Sequence, residues 1–176
     1  MKQIEKWLSV CLMLFWTLAL NAQQTERRAY YTPEDKVIFQ RYIDTMQSKR
    51  TLPMNELMIQ TALFSEGTPY VASTLEKEPE GLVINLRELD CTTFMETVLA
   101  LCRTLKGDQH TFEAYCDHLQ YLRYRHGTIT DYTDRLHYMA DWFYENERKG
   151  IVKNIAQTIG GESLTLNLSF ISTHPD

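Results

Sequence analysis

Apolar and polar positions alternate along this chain with different periods, and each change of period marks an element. From Trp7 to Leu20 the chain is apolar for 14 residues, behind the basic pair Lys2 and Lys6. That run is shorter than the roughly 20 residues a helix needs to cross a bilayer. Ala22 follows as a small-residue cleavage point, so residues 1–22 are predicted to be a secretory signal peptide. Lipid attachment at Cys11 is rejected, because too short an apolar run would precede it. Gln23 to Tyr31 is polar, with no period, and reads as loose chain.

Thr32-Pro33-Glu34-Asp35 then opens a helix, with Thr32 as N-cap, Pro33 at the first helical position and Asp35 three residues on. Val37, Ile38, Tyr42, Ile43 and Met46 follow at helical spacing and are expected inside. A second helix opens near Pro53, carries Leu57, Met58, Ala62 and Leu63 inward, and stops at Gly67. Gly67-Thr68-Pro69-Tyr70 is a turn, Glu76 to Gly81 a charged loop, and Leu82 to Leu86 a short strand. After Cys91, the apolar face Phe94, Val98, Leu101, Cys102 and Leu105 predicts a helix that ends at Lys106-Gly107. Thr111 to Leu122 is another, with Phe112, Tyr115, Cys116, Leu119 and Leu122 inward. A polar loop from His126 leads to a helix over about Asp134–Asn146, closed by Gly150. Leu164 to Ile171 alternates like a strand.

The whole sequence has a formal charge of -5. Losing residues 1–22 removes Lys2, Lys6 and Glu5, which leaves the rest slightly more acidic, an unpromising surface for nucleic acid. Residues 23–176 suit one domain by length. With the leader gone no membrane span remains, and the compartment is periplasmic or extracellular. Cys91, Cys102 and Cys116 then form an odd set, so at least one thiol stays out of an internal disulfide. Cys102 lies about 16 Å along the helix from Cys91, too far for a bridge. Cys102 and Cys116 read as small core residues.

Cys91 stands where extended chain turns into helix, in Asp90-Cys91-Thr92-Thr93-Phe94. There the helix macrodipole favours the thiolate, which is the nucleophilic form. The backbone N–H groups at the same helix start suit part of an oxyanion hole. A nucleophile also needs a base, normally a histidine held by a third polar group. The structural alternative is an inert buried thiol. Asp90 opposes a thiolate if buried beside it, so its better use is to hold a substrate ammonium. Among the histidines, His110 and His118 flank Cys116 without zinc spacing, and no CxxC is present, so no metal is expected. His137 is followed one turn later by Asp141, which could orient its ring or simply form a surface pair. Arg123-Tyr124-Arg125-His126 suits an anion or a sugar acid, or else a solvated helix end. Tyr138, Trp142, Phe143 and Tyr144 suit either sugar stacking or a core stripe.

Gly67-Thr68-Pro69-Tyr70 followed by Asp90-Cys91-Thr92-Thr93-Phe94 resembles the signature of NlpC-type papain-like cell-wall hydrolases. With Leu86-Arg87-Glu88-Leu89, Arg123-Tyr124-Arg125 and Arg135-Leu136-His137-Tyr138 added, the chain is similar to their N-acetylmuramoyl-L-alanine amidase-like subfamily, from roughly Asp35 onward. The resemblance implies an α+β, papain-like fold in which the helical part dominates and most of the antiparallel sheet is missing. It implies a cysteine amidase that cuts between a muramic acid and L-alanine in peptidoglycan fragments, with anhydro-muropeptides preferred and no cofactor. Cys91 would be the nucleophile, and Tyr70 and Asp90 would line the peptide side. A helical lobe over about residues 106–160 would hold the sugar with help from His137. The family's catalytic histidine sits in a Gly-Leu-Asp-x-x-His-x-Gly motif that this sequence lacks, so residues 23–176 are expected to be the N-terminal portion of a longer amidase. A non-catalytic muropeptide-binding module and a secreted helical domain with Cys91 in its core are the alternatives.

Overall fold

Pro33 has no N–H to lose in a first helical turn and a φ already suited to one. Helix α1, Pro33–Met46, starts at it with Thr32 as N-cap. The computed structural model describes residues 28–162. The predicted signal peptide, the strand expected at Leu164–Ile171, and His174 lie outside the described residues.

The segment expected to be loose contributes a strand. Strand β1, Ala29–Tyr30, pairs in parallel with β2, Leu82–Val83, in the register Ala29 with Leu82 and Tyr30 with Val83. Two residues are too few to show an alternating period, so the sequence carries no local sign of this strand. Gly81 allows the close approach. A Cβ there would stand 2.8 Å from the Arg28 carbonyl oxygen and 2.9 Å from the Tyr30 ring.

On α1 the buried face is Phe39, Tyr42, Ile43 and Met46, while Val37 is 67% exposed. Apolar residues at 37, 38 and 39 permit two faces. Partners choose between them, because Phe39 meets Phe112 edge-on at 5.6 Å and Tyr115 at 5.5 Å. Helix α2, Met54–Phe64, buries Leu57 and the polar Thr61, while Leu63, expected inside, is exposed. Thr61 is satisfied there: its hydroxyl lies 3.0 Å from the Tyr42 hydroxyl and accepts from the Cys102 thiol at 3.2 Å.

Helix α3, Cys91–Lys106, packs against both α2 and α4, Phe112–Arg123, and is buried nearly all round from Glu96 to Cys102. That makes it the central helix. Phe94, in its first turn, is more exposed than its apolar character predicted. Helix α4 starts at Thr111, whose hydroxyl accepts from the Ala114 N–H at 3.1 Å. All five of its predicted inward residues are buried.

Beyond α4 the expected helix over 134–146 begins later. Asp134 accepts from the Thr130 N–H and hydroxyl and from the Asp131 N–H, while Asp131 accepts from Thr133. These local bonds hold a 3-10 turn, Tyr132–Asp134, in competition with a helix. Arg135 instead bridges antiparallel to Tyr124.

The chain divides into two compact units after Arg135. The second contains α5, Met139–Arg148, with Trp142, Glu145 and Asn146 buried, and a 3-10 turn, Ala156–Ile159. The fold is helix-dominated with a small two-stranded sheet, an α+β arrangement. Among the described residues no helix is long and apolar enough to cross a membrane.

Candidate active site

Two sequence motifs some twenty residues apart meet through backbone hydrogen bonds. Leu89 donates its N–H to the Pro69 carbonyl at 3.0 Å, and Val71 donates to the Leu89 carbonyl at 3.2 Å. Tyr70 and Leu89 thereby form a parallel bridge. Gly67, at φ 84, supplies the left-handed turn that releases the chain from α2 into this pairing. The bridge sets Tyr70, which is 72% exposed, opposite the residue that precedes Asp90 and Cys91.

Asp90 is the N-cap of α3. Its Oδ1 accepts from the Thr93 N–H at 2.8 Å and from the Thr93 hydroxyl at 2.9 Å, and its own N–H donates to that hydroxyl at 2.8 Å. This reciprocal cap starts the helix at Cys91 and uses one carboxylate oxygen, leaving the other without a hydrogen bond among the described residues. The Phe94 N–H returns to the Asp90 carbonyl at 2.8 Å. The N–H groups of Cys91 and Thr92 precede the helical ladder and find no acceptor among the described residues. Cys91 is exposed in the first turn, a free thiol beside those donors. The reading in which Cys91 is an inert core residue is therefore corrected: the core thiol of this helix is Cys102, and burial pushes its pKa up.

The segment that delivers Cys91 is held from several sides. Asp35, fully buried, accepts from the Leu86 N–H at 2.8 Å and from Arg87 Nε at 3.2 Å, both at Oδ1. Its Oδ2 accepts from the Thr32 N–H and hydroxyl. Asn85 Oδ1 accepts from the Arg87 and Glu88 N–H groups, which closes the bend before Leu89. Arg123, 3% exposed, joins three elements: it donates to Glu96 on α3 at 2.7 Å and to the Val83 carbonyl on β2 at 2.6 Å. The Tyr124 hydroxyl reaches Glu80 Oε1 at 2.6 Å and the Gly81 carbonyl at 2.9 Å. Arg135 grips Glu76 with its Nη2 at 3.1 Å from each carboxylate oxygen. The Arg123-Tyr124 cluster is thus an internal brace, neither a solvated helix end nor an open anion site. Sequence reasoning gave Asp35 only a capping role and missed Glu80, Glu96 and Asn85, whose partners lie far away or emerge only from the bend.

Two of the histidines lie at one helix end. His110 Nε2 lies 3.1 Å from the Gly107 carbonyl, and His118 stands beside the same glycine. Both therefore sit at the C-terminal end of α3, about 24 Å from Cys91 along a 16-residue helix. Burial, with Arg103 adding to it, lowers the His118 pKa. His126 lies in a 3-10 turn at φ 54. His137 is exposed and precedes α5, which begins at Met139. Within the second unit, Phe143 and Tyr144 are exposed and Trp142 is buried. A groove of about 620 Å³ there is lined by Phe143, Tyr144, Lys153 and Ile159. Among the described residues no three His, Cys, Asp or Glu side chains converge on a metal position.

The family model described as N-acetylmuramoyl-L-alanine amidase-like matches residues 61–175, which include Tyr70, Asp90 and Cys91. Among solved structures, the chain is 40% identical to an N-acetylmuramoyl-L-alanine amidase from Bacteroides uniformis, with a TM-score of 0.61 over 69% of this chain and 51% of that one. It is 39% identical to a Bacteroides fragilis protein named only provisionally, as a xylanase, with a TM-score of 0.56 over 66% of this chain and 51% of that one. A Legionella pneumophila protein shares the fold at 23% identity, with a TM-score of 0.58 over 73% of this chain and 42% of that one. The chain thus spans about half the length of the first of these structures. No curated protein matches it.

Proposed function

The chain belongs to the N-acetylmuramoyl-L-alanine amidase-like family, and from that premise we propose that it carries the nucleophilic half of a papain-like, NlpC-type cysteine amidase acting on peptidoglycan fragments. The substrate is a muramoyl peptide, with anhydro-muropeptides preferred, and the bond cut joins the lactyl carbonyl to L-alanine. Cys91 Sγ attacks that carbonyl. The N–H groups of Cys91 and Thr92 face the oxyanion that forms. The free oxygen of Asp90 and the exposed Tyr70 ring bind the peptide on the leaving-group side. The alanine amine leaves with a proton, and water hydrolyses the thioester. A histidine takes the thiol proton; His110 and His118, at the far end of α3, do not serve. His137 belongs to the helical lobe, over about residues 106–160, that holds the sugar. The leader-like pattern of residues 1–22 supports a periplasmic or secreted protein that meets wall fragments there.

The observation that carries this reading is the backbone pairing of Tyr70 with Leu89, which joins the turn motif to the Asp-Cys helix start. Two assays test it. Alkylation of Cys91 by iodoacetamide at pH 7 should be clearly faster than that of a simple thiol, and hydrolysis of an anhydro-muropeptide should vanish in Cys91→Ala. An ordinary alkylation rate, or turnover that survives the substitution, overturns it.

A further inference from the structure

Arg87 is an arginine that uses only part of its donor set. Its Nε lies 3.2 Å from Asp35 Oδ1, and its side chain is 30% exposed while that of Asp35 is fully buried. An arginine that served only to neutralise a buried carboxylate would favour the two-pronged geometry, with parallel N–H groups on both oxygens. Asp35 has no room for that, because Leu86 shares Oδ1 and Thr32 takes Oδ2 twice. The Nη donors of Arg87 form no hydrogen bond among the described residues, so the planar fork suited to a carboxylate is left over. The neighbouring Glu88 does not engage it, since its carboxylate accepts from Asn85 Nδ2 at 3.2 Å.

The position is as informative as the chemistry. Arg87 precedes Cys91 by four residues, which bounds their Cα separation at about 14 Å even for fully extended chain. The Tyr70–Leu89 bridge lies between them. A peptide of three residues spans about 10 Å. A muramoyl peptide whose scissile carbonyl sits at Cys91, with its peptide running past Asp90, therefore brings a carboxylate two or three residues beyond the cut within reach of this guanidinium. Resting on the amidase reading above, we propose that Arg87 determines specificity at this site by binding a free carboxylate of the stem peptide. Asp35 holds the guanidinium by Nε and leaves the fork for the substrate.

The test compares N-acetylmuramoyl-tripeptide carrying a free C-terminal carboxylate with the same compound as its C-terminal amide. Calorimetry on Cys91→Ala protein measures binding without turnover. The carboxylate form should bind about tenfold more tightly than the amide, the size of one charge-assisted hydrogen bond. Adding Arg87→Gln should bring that ratio close to one with the amide affinity unchanged. Arg87→Lys keeps a cation beside Asp35 and so covers a folding failure of the glutamine variant; it should retain only part of the ratio. A ratio unmoved by both substitutions, or an equal loss for both ligands, overturns the proposal. Alkylation of the unsubstituted protein by iodoacetamide separates this from the parent reading. Fast alkylation of Cys91 without any carboxylate preference sinks Arg87 alone, and a carboxylate preference with an ordinary alkylation rate sinks the amidase reading alone. Absence of binding by both ligands overturns both.

Discussion

Replacing Arg123 by methionine tests whether the brace behind Cys91 is structural. The side chains of Arg123 and Glu96 are 3% and 2% exposed, and their contact is 2.7 Å long. The methionine fills most of the volume but removes two hydrogen bonds, one to Glu96 and one to the Val83 carbonyl. It also strips a buried carboxylate of its guanidinium. Breaking a buried pair from one side costs about 4 kcal/mol. For a domain of this size that lowers the melting temperature by roughly 12 °C. A solvated helix end would lose at most about 0.5 kcal/mol from the same change. Urea unfolding followed by circular dichroism reads the difference, provided the slope with denaturant stays constant. The double variant Arg123→Met, Glu96→Leu should recover about half of the loss or more, because two apolar residues replace two buried charges. A single-variant cost below about 1 kcal/mol, or a double variant as unstable as the two singles summed, would falsify the brace.

Removing the N-cap in Asp90→Ala should cost about 1 kcal/mol of stability, measured by urea melts; an unchanged midpoint would show that the cap is idle. Mass spectrometry after brief labelling of native protein should find the label on Cys91 and not on Cys102, whose buried thiol has a raised pKa; equal labelling contradicts the burial. The folded state holds His118 below its ordinary pKa, so the unfolded chain binds more protons. Stability should therefore fall as pH drops through about 6.5 and level off once the folded-state pKa is passed. His118→Gln should make the melting temperature less dependent on pH across that range, and an identical profile refutes the assignment. Gly81→Ala drives a Cβ to 2.8 Å from the Arg28 carbonyl and should cost about 1–3 kcal/mol in the same urea assay.

What could be read from the sequence is what short stretches of chain decide. Thr32-Pro33 was legible as a helix start because a cap acts within three residues. The inward face of α4 was legible because its apolar spacing admits one face only. On α1 three adjacent apolar positions admitted two faces, and rings on α4 settled the choice. Thr61 was missed because a buried hydroxyl looks like a surface one until Tyr42 and Cys102 arrive. The helix expected from Asp134 starts late because Asp131 and Asp134 bind their own backbone, which a hydrophobic period does not register. At the candidate site, Cys91 and Asp90 were visible as a local pattern, and Tyr70 only by resemblance. The bonds that bring Tyr70, Asp35, Arg123 and Tyr124 to the same segment join residues from about twenty to fifty positions apart. Such pairings have no period to betray them.

The parallel pairing of β1 with β2 has a consequence in time. Helices α2, α3 and α4 follow one another in sequence and can pack as soon as they exist, whereas β1 must return across some fifty residues to reach Leu82 and Val83. Closing so long a loop is slow compared with docking neighbouring helices. Until it closes, the N–H groups of Leu82 and Ile84 lack their acceptors, the carbonyls of Arg28 and Tyr30. The earliest synthesised of the described residues are thus among the last to find their place, and during that interval the chain leading to Cys91 offers an open strand edge to any other extended polypeptide nearby.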